Sequence, residues 1–414
     1  MRGVLWVVLL FAVAVVASMT LGTNDSLVTL NWRDWRVDLS LNLFVLLLVG
    51  GYFFLAATLR GIEALVSLPR RAGEWRRLQR ERAVHRHLRE AQFELAAARF
   101  ARARKAAERA LGLLDIGQPL DEAAETGVAA RLLVAEAAHR LQDRDARDAA
   151  LGAALDQATT RGLRVAAEGA RLQAAAWALD DRDAERALQL LGGLPAGVSR
   201  RTQALRLRLQ AARLAQRPVE ALQTARLLAK HQAFSPGAAH GLLRSLAGQV
   251  VDAAHDADQL RREWQMLDPA DRRDPIVAAH AARRAAALGA PGDGRFWLLP
   301  HWERLAELAA DEREAVATAL VDVLPGLGPE WLPLAERALE KLRREPLVEA
   351  VVGMVFAERE LWGKARRPLE NAAASATLVA ALRRRAWRLL AQAARGAGDE
   401  ARAIECEQAA AALD

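Results

Sequence analysis

The repeating unit of this 414-residue chain is clearest in Asp180-Asp-Arg-Asp-Ala184-Glu-Arg-Ala-Leu188-Gln-Leu-Leu191. A polar turn precedes small or apolar residues at Ala184, Leu188 and Leu191, and the spacing i, i+4, i+7 places them on one face of a helix. This unit recurs between residues 90 and 414, with anchor alanines at Ala103, Ala146, Ala184, Ala221, Ala365 and Ala401. We expect each anchor to lie where two helices cross, because a small side chain allows close approach.

The intervals between anchors define a repeat. They are 43, 38, 37, 144 and 36 residues, and the long interval is four times 36, so three degenerate units fit inside it. Two of these are predicted at Leu260, Trp264 and Leu267 and at Ala335, Leu339 and Leu342. Helix, short turn and helix at this spacing is the pattern of tetratricopeptide (TPR) repeats, whose period is about 34 residues. The sequence therefore predicts an all-α fold with a TPR-like α-solenoid over residues 90–414.

Two stretches depart from the pattern. The last unit carries Glu405 and Gln408 where apolar residues are expected, which favours a terminal repeat with a polar outer face. The segment Leu288–Leu334 is rich in proline, glycine and tryptophan. We interpret it as a tolerated irregularity of the repeat, with an inserted binding feature as the alternative.

The composition agrees with a helical chain. Alanine, leucine and arginine, which have high helix propensity, dominate, and β-branched residues are scarce after the first 70 positions. Cys406 is the single cysteine, so neither an intrachain disulfide nor a cysteine-based zinc site is available. We interpret it as a small apolar residue of a late helix.

Two uncharged apolar runs lie near the N-terminus, at Val4–Leu21 and Leu39–Leu59. Each is long enough to cross the ~30 Å hydrocarbon core of a bilayer, so residues 1–60 are predicted to form a two-helix transmembrane hairpin. A cleaved signal peptide ending near Ala17 is the alternative for the first run. The uncleaved span is favoured because the run continues to Leu21.

A basic segment follows the hairpin. Nine arginines and three glutamates lie between Arg60 and Arg89, a net charge of 9 − 3 = +6. The positive-inside rule places this juxtamembrane helix, residues 61–89, on the cytoplasmic face and the loop 22–38 on the far side. The arginines expected at the membrane surface are Arg70, Arg71, Arg76, Arg77 and Arg80. Anionic lipid explains such a cluster better than nucleic acid does.

No catalytic motif is recognisable in the sequence. The glycines of Gly289-Ala-Pro-Gly292-Asp-Gly294 follow no strand, so they do not form a nucleotide-binding loop. His85 and His87 point to different faces of a helix and make a poor metal pair. The remaining histidines considered as haem ligands are His231, His240, His255, His280 and His301, at unrelated helical phases. The sequence predicts neither an enzyme nor a metal site.

The layout resembles the HemY family of proteobacterial inner-membrane proteins. The segments that carry this resemblance are Leu39-Ser-Leu-Asn-Leu-Phe44, Arg60-Gly-Ile-Glu63, Arg99-Phe-Ala-Arg-Ala-Arg-Lys105 and Leu361-Trp-Gly-Lys-Ala-Arg366. It implies a multi-pass protein of the bacterial inner membrane with loop 22–38 in the periplasm and the repeats in the cytoplasm. A flavin-dependent protoporphyrinogen oxidase bears the same family name, but this chain lacks its dinucleotide fingerprint.

The resemblance implies a scaffold or adaptor in late protohaem synthesis that binds enzymes of this pathway and membrane lipid, without a cofactor. One alternative is a haem- or porphyrin-binding carrier that uses the histidines and the tryptophans between Trp297 and Trp331. A second alternative is a general scaffold for assembly of the cell envelope. The repeats themselves predict protein partners, because stacked helix pairs form extended binding surfaces.

Overall fold

The computed structural model describes residues 26–33, 35–116 and 122–413, and describes no side chain at position 61 or at positions 63–71. The first predicted span, Val4–Leu21, lies outside the described residues. The chain divides into two compact units, Met1–Ala150 and Leu151–Asp414, which we call unit 1 and unit 2. Apart from one hairpin, the regular elements of the described residues are helices, which confirms the predicted all-α class.

Unit 1 begins with a two-stranded antiparallel hairpin. Strands β1 (Leu27–Trp32) and β2 (Trp35–Ser40) pair with Trp32 opposite Trp35. The Thr29 hydroxyl donates a hydrogen bond of 2.6 Å to Asp38 Oδ1 across the strands.

Helix α1 (Leu41–Ala96) follows the hairpin without a loop. The Ser40 hydroxyl caps it by accepting a 3.4 Å hydrogen bond from the Leu43 amide, which satisfies one of the free N–H groups of the first turn. The predicted domain limits at residues 60 and 89 both fall inside this one helix. Apolar span and basic segment are therefore parts of a single 56-residue element.

The end of α1 begins the repeats. It packs on α2 (Phe100–Leu114), which in turn packs on α3 (Ala123–Arg140). Val84 and Ala91 of α1 are buried in this contact. Helix α4 (Arg144–Thr160) completes the second helix pair and continues into unit 2.

Unit 2 consists of helix pairs whose members we call A and B. The A helices are α5 (Arg164–Asp180), α8 (Thr202–Leu214), α10 (Pro236–Asp252), α13 (Pro275–Ala287), α15 (Ala310–Asp322), α17 (Pro346–Glu358) and α19 (Ala380–Gly396). The B helices are α6 (Ala184–Gly192), α9 (Pro218–Lys230), α11 (Ala257–Met266), α14 (Pro291–Glu303), α16 (Leu332–Lys341), α18 (Trp362–Ala374) and α20 (Glu400–Ala411). Short helices α7 (Ala196–Ser199) and α12 (Pro269–Arg272), and 3-10 turns at Leu305–Glu307 and Pro329–Trp331, lie between them.

The A helices begin at residues 164, 202, 236, 275, 310, 346 and 380, so the repeat length varies between 34 and 39 residues. The A helices also contact one another in sequence, as α10 contacts α13 and α13 contacts α15. This arrangement confirms TPR-like helix pairs and places three of them in the interval between Ala221 and Ala365. The two units predicted around Leu260 and Ala335 are B helices α11 and α16.

The turn inside most pairs has one conformation. The residue two positions before the B helix has a positive φ, in the left-handed region that ends helices. In unit 2 this position is occupied by Arg182, Gln216, Gly289, Glu360 and Gly398. Aspartates then cap α6 and α20, since Asp183 and Asp399 accept hydrogen bonds from the Arg186 and Arg402 amides.

The segment Leu288–Leu334 continues the repeat and contains no inserted feature. Its tryptophans are core residues: Trp297 stacks on Trp264 with ring centroids 4.8 Å apart, and Trp302 lies 6.3 Å from Trp331. Gly294 permits the crossing of α13, α14 and α15. A Cβ atom at position 294 would lie 2.7 Å from Val323 Cγ1 and 2.9 Å from the Ala282 carbonyl oxygen.

Candidate interaction surfaces

Most of the predicted anchor alanines are buried or half-buried. Ala103, Ala184, Ala221 and Ala365 are buried, and Ala146 is half-buried. Ala401 is exposed, so its predicted packing role is wrong. The buried residues of α20 are Ala403, Cys406 and Ala410.

The structure shows which position of the B helix is decisive. The fourth residue of each B helix in unit 2 is buried. These residues are Ala187, Leu260, Gly294, Ala335 and Ala403, together with the predicted anchors Ala221 and Ala365. In α20 the alternatives Ala401 and Ala403 are both alanines, so composition alone does not distinguish the two phases.

Helix α4 carries a charged residue at the same buried position. Its fourth residue is Arg147, of which only 4% is exposed. The guanidinium lies 2.9 Å from Asp148 Oδ1 and 3.2 Å from His139 Nδ1. Sequence analysis missed this site because the two residues before Ala146 and the two after it are all charged.

The first half of α1 is an apolar surface without protein cover. Leu41–Arg60 is the one described helical segment long and apolar enough to cross a membrane, and none of its most apolar stretch is buried. Trp32 and Trp35, with 81% and 76% of their surfaces exposed, lie in the hairpin before its N-terminal end. Exposed tryptophans are typical of membrane–water interfaces. The second predicted span is thus supported by the structure, and a two-helix hairpin is not shown.

The arginines expected at the membrane surface lie along α1 beyond its apolar half. Arg70 and Arg71 belong to the helix, but their side chains are not described. At 1.5 Å per residue, the helix carries Arg76 about 24 Å and Arg80 about 30 Å beyond Arg60. Arg76 is exposed, whereas Arg77 and Arg80 are half-buried, and Arg80 donates to the Ile116 carbonyl oxygen after α2. Arg80 is therefore engaged by protein.

Clefts open between neighbouring B helices of unit 2. The cleft between α16 and α18 has a volume of about 730 Å³. Leu339, Phe356 and Pro368 provide its apolar lining, while Arg343, Arg344 and Arg367 supply guanidinium groups. On its wall, Lys364 Nζ lies 2.6 Å from Glu336 Oε1. An apolar floor with charged edges is the composition of a protein-binding groove.

A second cleft, between α9 and α11, is smaller and more apolar. Its volume is about 250 Å³, and Leu222, Val250 and Leu267 line it. Met266, 68% exposed, stands at its edge. Glu263 Oε2 is buried beside these residues without a hydrogen-bond partner. The site has the size and polarity to hold one large apolar side chain.

A buried charged network lies where α10, α13 and α14 meet. Asp274 caps α13 through the Ile276 and Val277 amides, and its other carboxylate oxygen accepts from Arg244 Nε at 2.9 Å. His240 Nε2 lies 3.3 Å from the same oxygen. Burial lowers the pKa of nearby His301 below its ordinary value. The Asp274 carboxylate thus contacts His240 and acts electrostatically on His301.

The same network continues on the α9 side. Arg226 forms ion pairs with Asp268, at 2.5 Å, and with Asp271. Burial raises the pKa of Asp271. The residues that the structure describes contain no group of three or more histidine, cysteine, aspartate or glutamate side chains able to hold a metal. The network consists of ion pairs and helix caps that connect neighbouring repeats.

Comparison with protein families identifies the N-terminal part of the chain. Residues 27–142, which include the hairpin, α1, α2 and α3, match the family model for the HemY protein N-terminus. Over these residues the chain is similar to the HemY family. The resemblance stated from the sequence is thereby confirmed for the HemY-type hairpin, the exposed apolar segment of α1 and the first repeats. Curated proteins give no match to this chain.

Similar solved structures include the APC/C hetero-tetramer Cut9–Hcn1 (15% identity over 78% of this chain and 65% of that chain, TM-score 0.27). The Naa15/Naa10 complex bound to HypK-THB has 15% identity over 77% of this chain and 56% of that one, with a TM-score of 0.24. A circular tandem repeat protein with novel repeat topology has 14% identity over 81% of this chain and 96% of that one, with a TM-score of 0.24. This chain spans less than two thirds of the length of the first two. These scores support no statement about partners or activity.

Proposed function

We propose that this protein is a membrane-anchored, non-catalytic scaffold that binds other proteins through the clefts between its B helices. The observation that carries the proposal is the presence on one chain of an uncovered, membrane-length apolar helix and a series of TPR-like helix pairs. The first provides an anchor, and the second provides grooves with apolar floors and charged edges. Anchoring raises the local concentration of partners that work at the same membrane.

We further propose that the partners are enzymes of late protohaem synthesis. The support is the family of the N-terminal region, whose name associates it with haem. Enzymes that pass poorly soluble intermediates to one another benefit from being held side by side. A scaffold with several clefts has the architecture for this task.

The proposed location is the bacterial inner membrane, with two spans and the repeats in the cytoplasm. The net charge of +6 between Arg60 and Arg89 favours this orientation. The short hairpin β1–β2 would then lie in the periplasm. Its exposed tryptophans suit the outer interface of the membrane.

The carrier hypothesis receives less support from the structure. Trp297, Trp302 and Trp331 are buried in the core of unit 2, so they offer no surface to a porphyrin ring. His240 and His280 lie 3.3 Å from Asp274 and 2.7 Å from Asp252, in positions suited to ion pairs. The scaffold hypothesis therefore has the stronger structural basis.

The proposal is tested by a quantitative crosslinking pull-down of the intact chain from membranes. The test variant is Arg343→Glu/Arg367→Glu, which reverses two charges of the α16–α18 cleft. Arg388→Glu, an exposed arginine of A helix α19, is the control. Recovery of haem-synthesis enzymes that falls only in the cleft variant supports the proposal. Recovery of envelope-assembly proteins instead would assign the clefts to the alternative scaffold role.

A further inference from the structure

The outward face of α1 in unit 1 carries a continuous stripe of unusual composition. At 100° per residue, the side chains of Trp75, Leu78, Arg82, Arg86, Arg89 and Phe93 all project within about 40° of Arg82. The buried residues Val84 and Ala91 lie on the opposite face. We call these six residues the α1 stripe: three arginines in the middle and large apolar residues at both ends.

All six side chains are open to solvent. Trp75 and Phe93 expose 63% and 72% of their surfaces, and Leu78 exposes 51%. Large exposed aromatic residues beside arginines are typical of the centres of protein interfaces. The stripe extends over 19 residues, a rise of about 27 Å along the helix.

The three arginines carry uncompensated charge. Within the part of the chain that the structure describes, no ion pair is formed by Arg82, Arg86 or Arg89, whereas Arg104 and Arg140 each pair with a glutamate four residues away. Like charges at i and i+4 on a helix destabilise it. A partner that brings carboxylates to the stripe would remove this repulsion and gain charge-assisted hydrogen bonds.

Membrane lipid is a poor candidate for this charge. The helix rises about 33 Å between Arg60 and Arg82, whereas electrostatic attraction is screened over about 8 Å at physiological ionic strength. A tilt of about 20°, the average for membrane helices, shortens this distance very little. Headgroups at the end of the span therefore lie beyond the reach of the stripe.

We propose that the α1 stripe binds an acidic amphipathic helix of a partner protein. Such a helix would present carboxylates at i, i+4 and i+7 to Arg82, Arg86 and Arg89, and apolar side chains to Trp75 and Phe93 at the two ends. This surface lies in unit 1 and is separate from the clefts of unit 2, so the inference goes beyond the proposed function and stands independently of it.

The test uses the full chain reconstituted in nanodiscs of phosphatidylcholine. The probe is a synthetic amphipathic helical peptide with glutamates at i, i+4 and i+7 and leucines at both ends. A second peptide has lysines in place of the glutamates. The test variant is Arg82→Glu/Arg86→Glu/Arg89→Glu. The control, Arg206→Glu/Arg213→Glu/Arg388→Glu, makes the same change in net charge at exposed helix positions of unit 2.

We expect the glutamate peptide to bind the wild-type and control chains and to bind the test variant at least about tenfold more weakly. The lysine peptide should show the reverse preference. A neutral variant, Arg82→Gln/Arg86→Gln/Arg89→Gln, should bind neither peptide tightly, and retained helicity checks its folding. No binding of the glutamate peptide, or an equal loss of binding in the test and control variants, would overturn the proposal.

Discussion

Gly353 of α17 lies against Leu369 of α18 so closely that a Cβ atom at position 353 would be 2.7 Å from Leu369 Cγ. The Leu369 backbone nitrogen would be only 3.2 Å away, so the helix itself would have to move. We expect Gly353→Ala to destabilise the folded chain by about 1–3 kcal/mol, as overpacking of a core does. Chemical denaturation followed by circular dichroism measures the change.

The matched control is Gly169→Ala in the interior of α5. No atom lies within 4 Å of a Cβ added there. Without a clash, alanine should stabilise the helix by about 0.5–1 kcal/mol, since glycine is the weaker helix former. Equal effects of the two substitutions would show that close packing of the A and B helices is not what limits position 353.

At the left-handed turn residues, a change to glycine should increase the stability of the chain. Gln216 has a φ of 55°, a conformation that is unfavourable for side chains with a Cβ. Gln216→Gly should therefore stabilise the chain by up to about 1 kcal/mol. Gln210→Gly, six residues earlier and exposed inside α8, should destabilise by about 1 kcal/mol. Thermal unfolding of both variants gives the comparison, and two losses of stability would contradict the assigned turn geometry.

His301 makes stability depend on pH. Its pKa is lowered from 6.5 by burial, so the unfolded chain binds the proton at a pH where the folded chain does not. The contribution of this group is complete above pH 6.5 and is lost as the pH falls from 6.5 through the folded-state pKa. One proton gives a slope of at most about 1.4 kcal/mol per pH unit.

The measurement is the free energy of unfolding between about pH 7.5 and 5. His301→Gln should flatten its decline on the acid side. An identical slope in the wild-type and variant proteins would mean that burial does not lower the pKa of His301.

Labelling of introduced cysteines tests the orientation of the protein in the membrane. Cys406 is buried and burial raises its pKa, so it should react slowly with maleimides. We expect an impermeant maleimide to label Asn31→Cys in cells whose outer membrane is permeabilised. It should label Arg388→Cys only after lysis. The opposite pattern would place the repeats in the periplasm.

Sequence periodicity predicts the helices of the repeat but not every packing face. Ala221 and Ala365 coincide with the buried fourth position of their helices, whereas Ala401 does not, because Ala403 offers an equally small side chain two residues later. Helix α1 also exceeds its predicted limits, since the change from apolar to basic residues alters the surroundings of a helix without ending it. The composition of α1 therefore indicates the surroundings of each part of the helix, whereas backbone hydrogen bonding sets where the helix begins and ends.

The candidate sites were harder to predict than the fold. Arg244, Asp274 and His301 come from three helices, and no local motif connects residues that lie about 30 positions apart. The clefts between B helices depend on which gaps are filled, as Trp264 and Trp297 fill the gap between α11 and α14. Whether a gap is filled depends on the shapes of side chains from neighbouring repeats, and the spacing of residues in the sequence does not give these shapes.

The proposed scaffold role requires partners to dock in the clefts between B helices. A photo-crosslinking amino acid placed at Met266, at the edge of the α9–α11 cleft, or at Leu339 in the α16–α18 cleft, detects this docking in the intact membrane protein. The same group at Arg388 on an A helix is the control. We predict adducts with haem-synthesis enzymes from the two cleft positions and none from position 388. Equal labelling from all three positions, or adducts that contain none of those enzymes, would contradict docking of haem-synthesis enzymes in the clefts.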